Sequence, residues 1–235
     1  MSTTIGRVHS LQTLGTVDGP GVRFVAFLSG CPLRCSCCHN PDTWDGKNGK
    51  TYTAEQLVKT ALRYRPYFGA DGGITLSGGE PLVQAAFVEA VFKACHEQGI
   101  HTCLDTSGVR LDESVKRALL HCDRVLLDIK YTNDADYRQH VGMPYENALS
   151  FLAYLNEQHI PTTLRQVVIP TVNDDEENYT VLRRLIAEHP CVDTVELLPF
   201  RKLCQTKYDE MQLPFPFAHI PEADAETVAA MQKTL

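Results

Sequence analysis

Six short runs rich in β-branched and aromatic residues, at 22–28, 74–77, 101–105, 124–129, 162–169 and 194–198, alternate with stretches of helical periodicity. Strands joined by helical crossovers lie parallel, so this alternation restricts the chain to the α/β class. Local punctuation agrees. Thr53 and Gln56 form a capping box ahead of AEQLVKTALRYR, whose Leu57, Ala61 and Leu62 share one face. Pro81 opens a second helix, in which Val83, Phe87, Val88, Val91 and Phe92 recur at helical spacing and which Gly99 stops. Asp112, Asn147 and Asp174 are expected N-caps of three more helices, and the acidic run at 174–177 complements a helix macrodipole. Residues 222–235 are expected to form a terminal helix. No Ser-, Gly- or Pro-rich linker and no repeat divides the chain, so one domain over 1–235 is expected. Such strands either stay open as a doubly wound sheet or curve into a complete or partial barrel, and periodicity alone does not separate these.

Composition excludes several function classes. The 22 Lys and Arg against 29 Asp and Glu leave a formal charge of −7, which argues against a protein that coats nucleic acid. Residues 1–40 carry Arg7, Arg23 and Arg34 against Asp18 alone, so that end is basic. The opening MSTTIGRVHS lacks the order of a signal peptide, and the apolar stretch FVAFLSGCPL is too short to cross a bilayer. A cytoplasmic monomer with no membrane partner is expected. In a reducing compartment, 9 cysteines point to metal or redox chemistry before disulfides.

The first strand runs directly into SGCPLRCSCCHN, where Cys31, Cys35 and Cys38 make a C-x3-C-x2-C spacing with Cys37 as an extra neighbour. Thiolates this crowded repel one another and call for a metal cation. Structural zinc takes four closed ligands, and His39, adjoining Cys38, is poorly placed to be the fourth. An electron-carrying ferredoxin cluster also takes four cysteines. Three leave one iron of a cubane [4Fe-4S] cluster open to a small molecule. Cys95, Cys103, Cys122, Cys191 and Cys204 are scattered singly and are expected to be buried small hydrophobes.

The other polar motifs also follow strands: Ser77-Gly78-Gly79-Glu80 the second, Asp105-Thr106 the third, Asp128-Ile129-Lys130 the fourth and Arg201 the sixth. Functional side chains of parallel α/β folds gather at C-terminal strand ends, and motifs after nearly every strand fit a curved, partly closed barrel. Arg165, inside the apolar run TTLRQVVI, needs an anionic or carbonyl partner if it points inward.

The cysteine loop followed by SGGE resembles the radical S-adenosylmethionine (radical SAM) superfamily. GTVDGPGVR, CHNPDTW, GIHTCLDTSG and LLDIK further resemble its glycyl-radical activases of the pyruvate formate-lyase type, over residues 5–201. The resemblance implies a partial (β/α)6 TIM-like barrel whose lateral opening admits a protein substrate. It implies one [4Fe-4S] cluster on Cys31, Cys35 and Cys38, with SAM chelating the open iron through its amino and carboxylate groups. An electron from flavodoxin or ferredoxin would then cleave SAM to a 5′-deoxyadenosyl radical, which takes a hydrogen from one glycine Cα of a large glycyl-radical enzyme. In that family Gly78, Gly79 and Glu80 would receive the methionyl amino group, and Cys37 and His39 would meet adenine. Asp105, Thr106, Asp128, Ile129, Lys130 and Arg201 would meet the ribose and carboxylate, with a monovalent cation beside the carboxylate. Asp18 and Arg165 would meet the substrate peptide.

Two positions depart from the family pattern: Cys37 stands where an aromatic residue usually meets adenine, and Arg201 where histidine usually follows LLPF. Only 14 residues separate Cys38 from Thr53, which leaves no room for additional ferredoxin-like clusters. The alternatives are a radical SAM enzyme acting on a small molecule and, from another class, an iron–sulfur electron carrier or zinc-binding module.

Overall fold

The computed structural model describes residues 4–235. The chain divides into two compact units. The first is the chain up to Pro32 with Thr43–Leu126; the second is Leu33–Asp42 with Leu127–Leu235.

In the first unit, β1 (Ile5–Gly15), β2 (Arg23–Leu28), β3 (Lys50–Thr53), β4 (Gly73–Gly78) and β5 (His101–Thr106) lie in the order β3-β1-β2-β4-β5. Strands β2, β4 and β5 are parallel, with Arg23 opposite Gly73 and Gly73 opposite His101. Their shared C-terminal edge leads into Cys31, SGGE and Thr106. Near-continuous apolar runs make these strands central: Phe24, Val25, Ala26, Leu28, Ile74, Leu76 and Leu104 are buried. The helices α1 (Ala54–Leu62), α2 (Ala85–His96) and α3 (Glu113–Leu119) turn apolar stripes inward, with Leu57, Val58 and Ala61 buried on the first and Phe87, Val88, Val91 and Phe92 on the second. The Thr53–Gln56 capping box forms in both directions, and Asp112 caps α3. Pro81 starts a 3-10 turn, Pro81–Gln84, that leads into α2.

Strands β1 and β3 were not expected. They pair antiparallel with each other, and β1 also with β2. The inward face of β1 begins with Gly6 and Val8, and Gly6 lies against the ring of Phe87, where no Cβ would fit. Glycine there hides the apolar alternation that marks a strand.

Arg23, at the start of β2, is fully buried. Its Nε donates to Thr75 Oγ1 at 3.0 Å, while NH1 reaches Asp71 O at 3.2 Å and NH2 donates to Ile74 O. Thr75 Oγ1 in turn donates to Asp18 O at 2.7 Å. One guanidinium therefore ties the Asp18-Gly-Pro-Gly turn to β4. Gly21 is required because its φ is +65° and a Cβ would strike the Gly72 backbone.

Strand β6 (Arg124–Asp128) begins in the first unit and ends in the second. The second unit continues with α4 (Asp134–His140), α5 (Tyr145–Glu157), β7 (Thr162–Val168), α6 (Glu176–Glu188), β8 (Val192–Pro199), α7 (Gln205–Glu210) and α8 (Ala225–Gln232). Strands β7 and β8 are parallel, and Ile129 N–H donates to Arg165 O at 2.9 Å, which joins the end of β6 to β7. Beside this sheet, Tyr131 packs on His140, His140 on Phe217 and Phe217 on Phe200, with ring centroids 5.2–6.2 Å apart.

Three expectations for this half need correction. Asn147 lies inside α5, which starts after Pro144, where a fixed φ of −66° serves the helix entry. Asp175 rather than Asp174 caps α6, its carboxylate accepting from Asn178 N–H, whereas Asp174 accepts from Thr171 N–H. The terminal helix is confined to Ala225–Gln232, capped by Asp224. Helix α4 was not expected: it is short and Tyr137 is its buried residue, so it carries no apolar stripe.

Replacing Arg23 with methionine leaves several buried carbonyls and Thr75 without their donor. Urea unfolding should show a loss of about 2–4 kcal/mol; a loss below about 0.5 kcal/mol would show that the guanidinium is not the tie.

Candidate active site

In the first unit the site is built on close backbone approach. Gly78 has φ +118°, and a Cβ there would run into the Leu28 backbone. A Cβ on Gly79 would run into Gly30 O and meet Cys31 Cβ. Gly79 N–H donates to Leu28 O at 2.9 Å and Glu80 N–H to Gly30 O at 2.8 Å, while Gly30 N–H donates to Thr43 O at 2.7 Å. The two glycines thus let SGGE lie directly on the backbone that leads into Cys31.

Glu80 is buried, and four protein donors occupy its carboxylate. Oε1 accepts from Leu82 N–H at 3.0 Å and Thr106 Oγ1 at 2.7 Å; Oε2 accepts from Ser107 N–H at 3.0 Å and Ser107 Oγ at 2.6 Å. Burial pushes its pKa up against the pull of those donors. Glu80 therefore fixes the segment after β5, and Ser77 Oγ holds Asp105 Oδ2 at 2.6 Å. Ser77 and Ser107 fall in the motifs SGGE and GIHTCLDTSG but were given no role of their own from the sequence; their signal is position, each being a hydroxyl at the C-terminal end of a parallel strand. Asp18 lies at the other end of the strands, where Gly19 approaches Cys103 Sγ.

In the second unit Asp128 closes β6 and holds two cations. Its Oδ2 accepts from Lys130 Nζ at 2.6 Å and its Oδ1 from Arg165 Nε at 3.1 Å. Burial opposes the charge on Asp128, but the Lys130 ammonium and Arg165 guanidinium outweigh it and hold the carboxyl below the usual carboxylate range. Burial likewise opposes the charge on Lys130, and Asp128 overcomes it, so Lys130 stays protonated. Arg165, which is 7% exposed, finds in Asp128 the inward anionic partner that an arginine in an apolar strand needs. Ile129 is buried, Lys130 N–H donates to Tyr137 Oη at 3.0 Å, and Asn173 Nδ2 donates to Lys130 O at 3.4 Å. Tyr137 and Asn173 were not picked out from the sequence, because neither falls in a motif.

Segment Leu33–Asp42, with Cys35, Cys37 and Cys38, is tied to its own unit by backbone bonds. Arg34 N–H donates to Val141 O at 3.2 Å and Ser36 N–H to His140 O at 2.8 Å, at the end of α4. His39 Nε2 lies 2.9 Å from Arg201 O, and the Arg201 guanidinium turns to Ala223 O at 3.1 Å and Glu222 at 3.5 Å. Cys31, Cys35 and Cys38 are half-buried and form no disulfide, whereas Cys37, Cys95, Cys103, Cys122 and Cys204 are buried. Burial pushes the Cys37 thiol up to about 11. Cys191, expected to be buried, is half-buried: it stands in the turn before β8, where Asn156 Oδ1 accepts from its N–H. Among the described residues no group of three or more His, Cys, Asp and Glu side chains forms a ready metal site, and no helix is long and apolar enough to cross a membrane.

The family model described as the radical SAM superfamily matches residues 25–181 of the 235. The chain belongs to that superfamily. Over 232 residues it is 42% identical to the "Pyruvate formate-lyase-activating enzyme" of Clostridium pasteurianum, covering 98% of this chain and 97% of that protein. It is 39% identical over 236 residues to the "Pyruvate formate-lyase 1-activating enzyme" of Escherichia coli K12, covering 99% of this chain and 96% of that one. Among solved structures, a domain of the pyruvate-formate lyase-activating enzyme from Bacteroides vulgatus superposes with a TM-score of 0.57 at 25% identity, covering 69% of this chain and 91% of that domain. Streptococcus suis SuiB bound to its precursor peptide gives 0.62 at 16% identity, covering 74% and 38%, a likeness of fold alone. The α/β class with an open parallel sheet is thereby shown.

Membership of the superfamily implies a [4Fe-4S] cluster and SAM. The donors fit: the three half-buried thiols of the C-x3-C-x2-C loop form no disulfide and are soft enough for iron, and the glycine-lined approach behind Cys31 has no room for a Cβ. When bound, the cluster supplies the electron that reductively cleaves SAM.

Asp128→Asn should cost about 2–4 kcal/mol at neutral pH, because two cations lose their carboxylate. The folded pKa of Asp128 is depressed, so its stabilisation is present above the unfolded value near ~3.9 and is lost as pH falls through the lower folded value. The gap between wild type and Asn variant in urea midpoints should therefore narrow below about pH 4; a constant gap down to about pH 2 would contradict the assignment.

Proposed function

We propose that the chain is a single radical SAM domain, a partial (β/α)6 barrel, that activates a glycyl-radical enzyme of the pyruvate formate-lyase type by removing one glycine Cα hydrogen. The observation that carries this reading is near-full-length identity of 42% and 39% to proteins named as such activators. In this reading Cys31, Cys35 and Cys38 bind one [4Fe-4S] cluster. Gly78 and Gly79 offer backbone to the methionyl amino group, and Glu80 acts behind them by fixing Thr106 and Ser107.

Lys130 and Arg165 present fixed positive charge to the SAM carboxylate, and Asp128 orients both and keeps Lys130 protonated. Asp105, Thr106 and Asp128 offer oxygens to a monovalent cation and to the ribose, and the Ile129 main chain lies between them and Lys130 in sequence. Cys37 is buried, so adenine would meet its backbone, with the ring of His39 beside it. Arg201 acts through its carbonyl, which orients His39, because its guanidinium is engaged with Ala223 and Glu222. Arg165 would also meet the incoming peptide, whereas Asp18, expected to do so, lies at the other end of the strands, away from this rim. A glycine suits such a peptide, since it carries no side chain and its radical is delocalised over the flanking amides. The reductant is a flavodoxin or ferredoxin, and the protein works as a cytoplasmic monomer.

The test mixes the anaerobically reconstituted protein, SAM and a reductant with a pyruvate formate-lyase. A glycine-centred radical signal in the partner, matched by 5′-deoxyadenosine, is expected. SAM cleavage without that signal, but with turnover of an added small molecule, would replace the protein substrate with a small one.

A further inference from the structure

Lys207 has no part in the proposed chemistry, yet it holds the chain that leaves Cys38. It projects from α7, in the arm that follows β8. Its Nζ donates to Asn40 Oδ1 at 2.8 Å and to Asp42 Oδ1 at 3.0 Å, across more than 160 residues of sequence. The pair with Asp42 is about one-third exposed, with side-chain accessibilities of 35% and 29%. A pair in that setting adds little to global stability. Its effect is local. The segment enters on backbone bonds to His140 and Val141, and leaves through the His39 contact and the two Lys207 bonds. All of these lie within the second unit and pin the segment on both sides of Cys38.

We infer that Lys207 is a positioning residue, a clamp on Asn40 and Asp42 that holds Cys38 ready for ligation, so that cluster retention depends on this ammonium far more than folding does. The inference rests on Cys38 being a cluster ligand. The ammonium suits the task because three donors on one flexible stem can serve an amide oxygen and a carboxylate together, and arginine could do the same through its fork.

The test uses the full chain before and after anaerobic reconstitution. In Lys207→Met the urea midpoint should stay near that of wild type, amide exchange in residues 38–42 of the cluster-free chain should speed up, and an iron chelator should strip the reconstituted cluster about tenfold faster. Lys207→Arg should restore both readouts. If Lys207→Met proves unfolded, the paired variant Asn40→Ala/Asp42→Ala, with Lys207 intact, should give the same faster exchange and release. Wild-type exchange and release in whichever variant folds, or equal acceleration in Lys207→Arg, would overturn the clamp. Cys38→Ser separates the two readings: if it keeps a normal cluster, the cluster assignment itself fails, and if it loses the cluster while Lys207→Met matches wild type, the clamp alone fails.

Discussion

Three thiols within eight residues cannot fix their own positions. The loop that carries them forms neither helix nor strand, so surrounding elements help to order it. Each unit contributes its own restraint. In the first, Gly78 and Gly79 bring SGGE onto the backbone of Leu28 and Gly30, immediately before Cys31. In the second, the end of α4 and the arm beyond β8 hold the chain around Cys35 and Cys38. Everything proposed for the chemistry presupposes this double anchoring.

Charge is organised as strictly as shape. Glu80 and Asp128 are carboxylates at C-terminal strand ends, yet their surroundings give them different work. Neutral hydroxyls and amides surround Glu80, which makes it a brace for the Thr106 loop. Two cations surround Asp128, which makes it the centre of an electrostatic cluster. The superfamily chemistry asks for both: a rigid backbone cradle, and fixed positive charge opposite an anionic ligand.

Much of this was legible in sequence where one physical signal dominates. The six expected strands announce themselves because burial on both faces demands continuous apolar runs, and the Thr53–Gln56 box because capping has a strict spacing. Strand β1 escaped because Gly6 replaces an inward apolar side chain under Phe87. The caps of α5 and α6 shifted because Pro144 can start a helix without a polar cap, and because adjacent aspartates compete for one position. At the site, the ligand-type residues stood out by their place after strands. Of the residues that hold them, Ser77, Ser107 and Lys207 act on partners 27 to 167 positions away in sequence, and Tyr137 acts on one 7 positions away but outside any motif; no local pattern marks such pairs. Glu80 and Arg201 showed a different limit: the sequence marked both as ligand-facing, while their side chains are engaged with protein groups.

The proposed chemistry requires an iron corner that the protein would leave to SAM. The most direct measurement is the EPR spectrum of the reduced, reconstituted protein, with iron and sulfide assayed, before and after SAM is added. A spectrum that changes with SAM, from a centre holding about four irons and four sulfides per chain, is predicted. An unchanged spectrum from a fully loaded centre would mean that side chains occupy every iron, and would contradict the account.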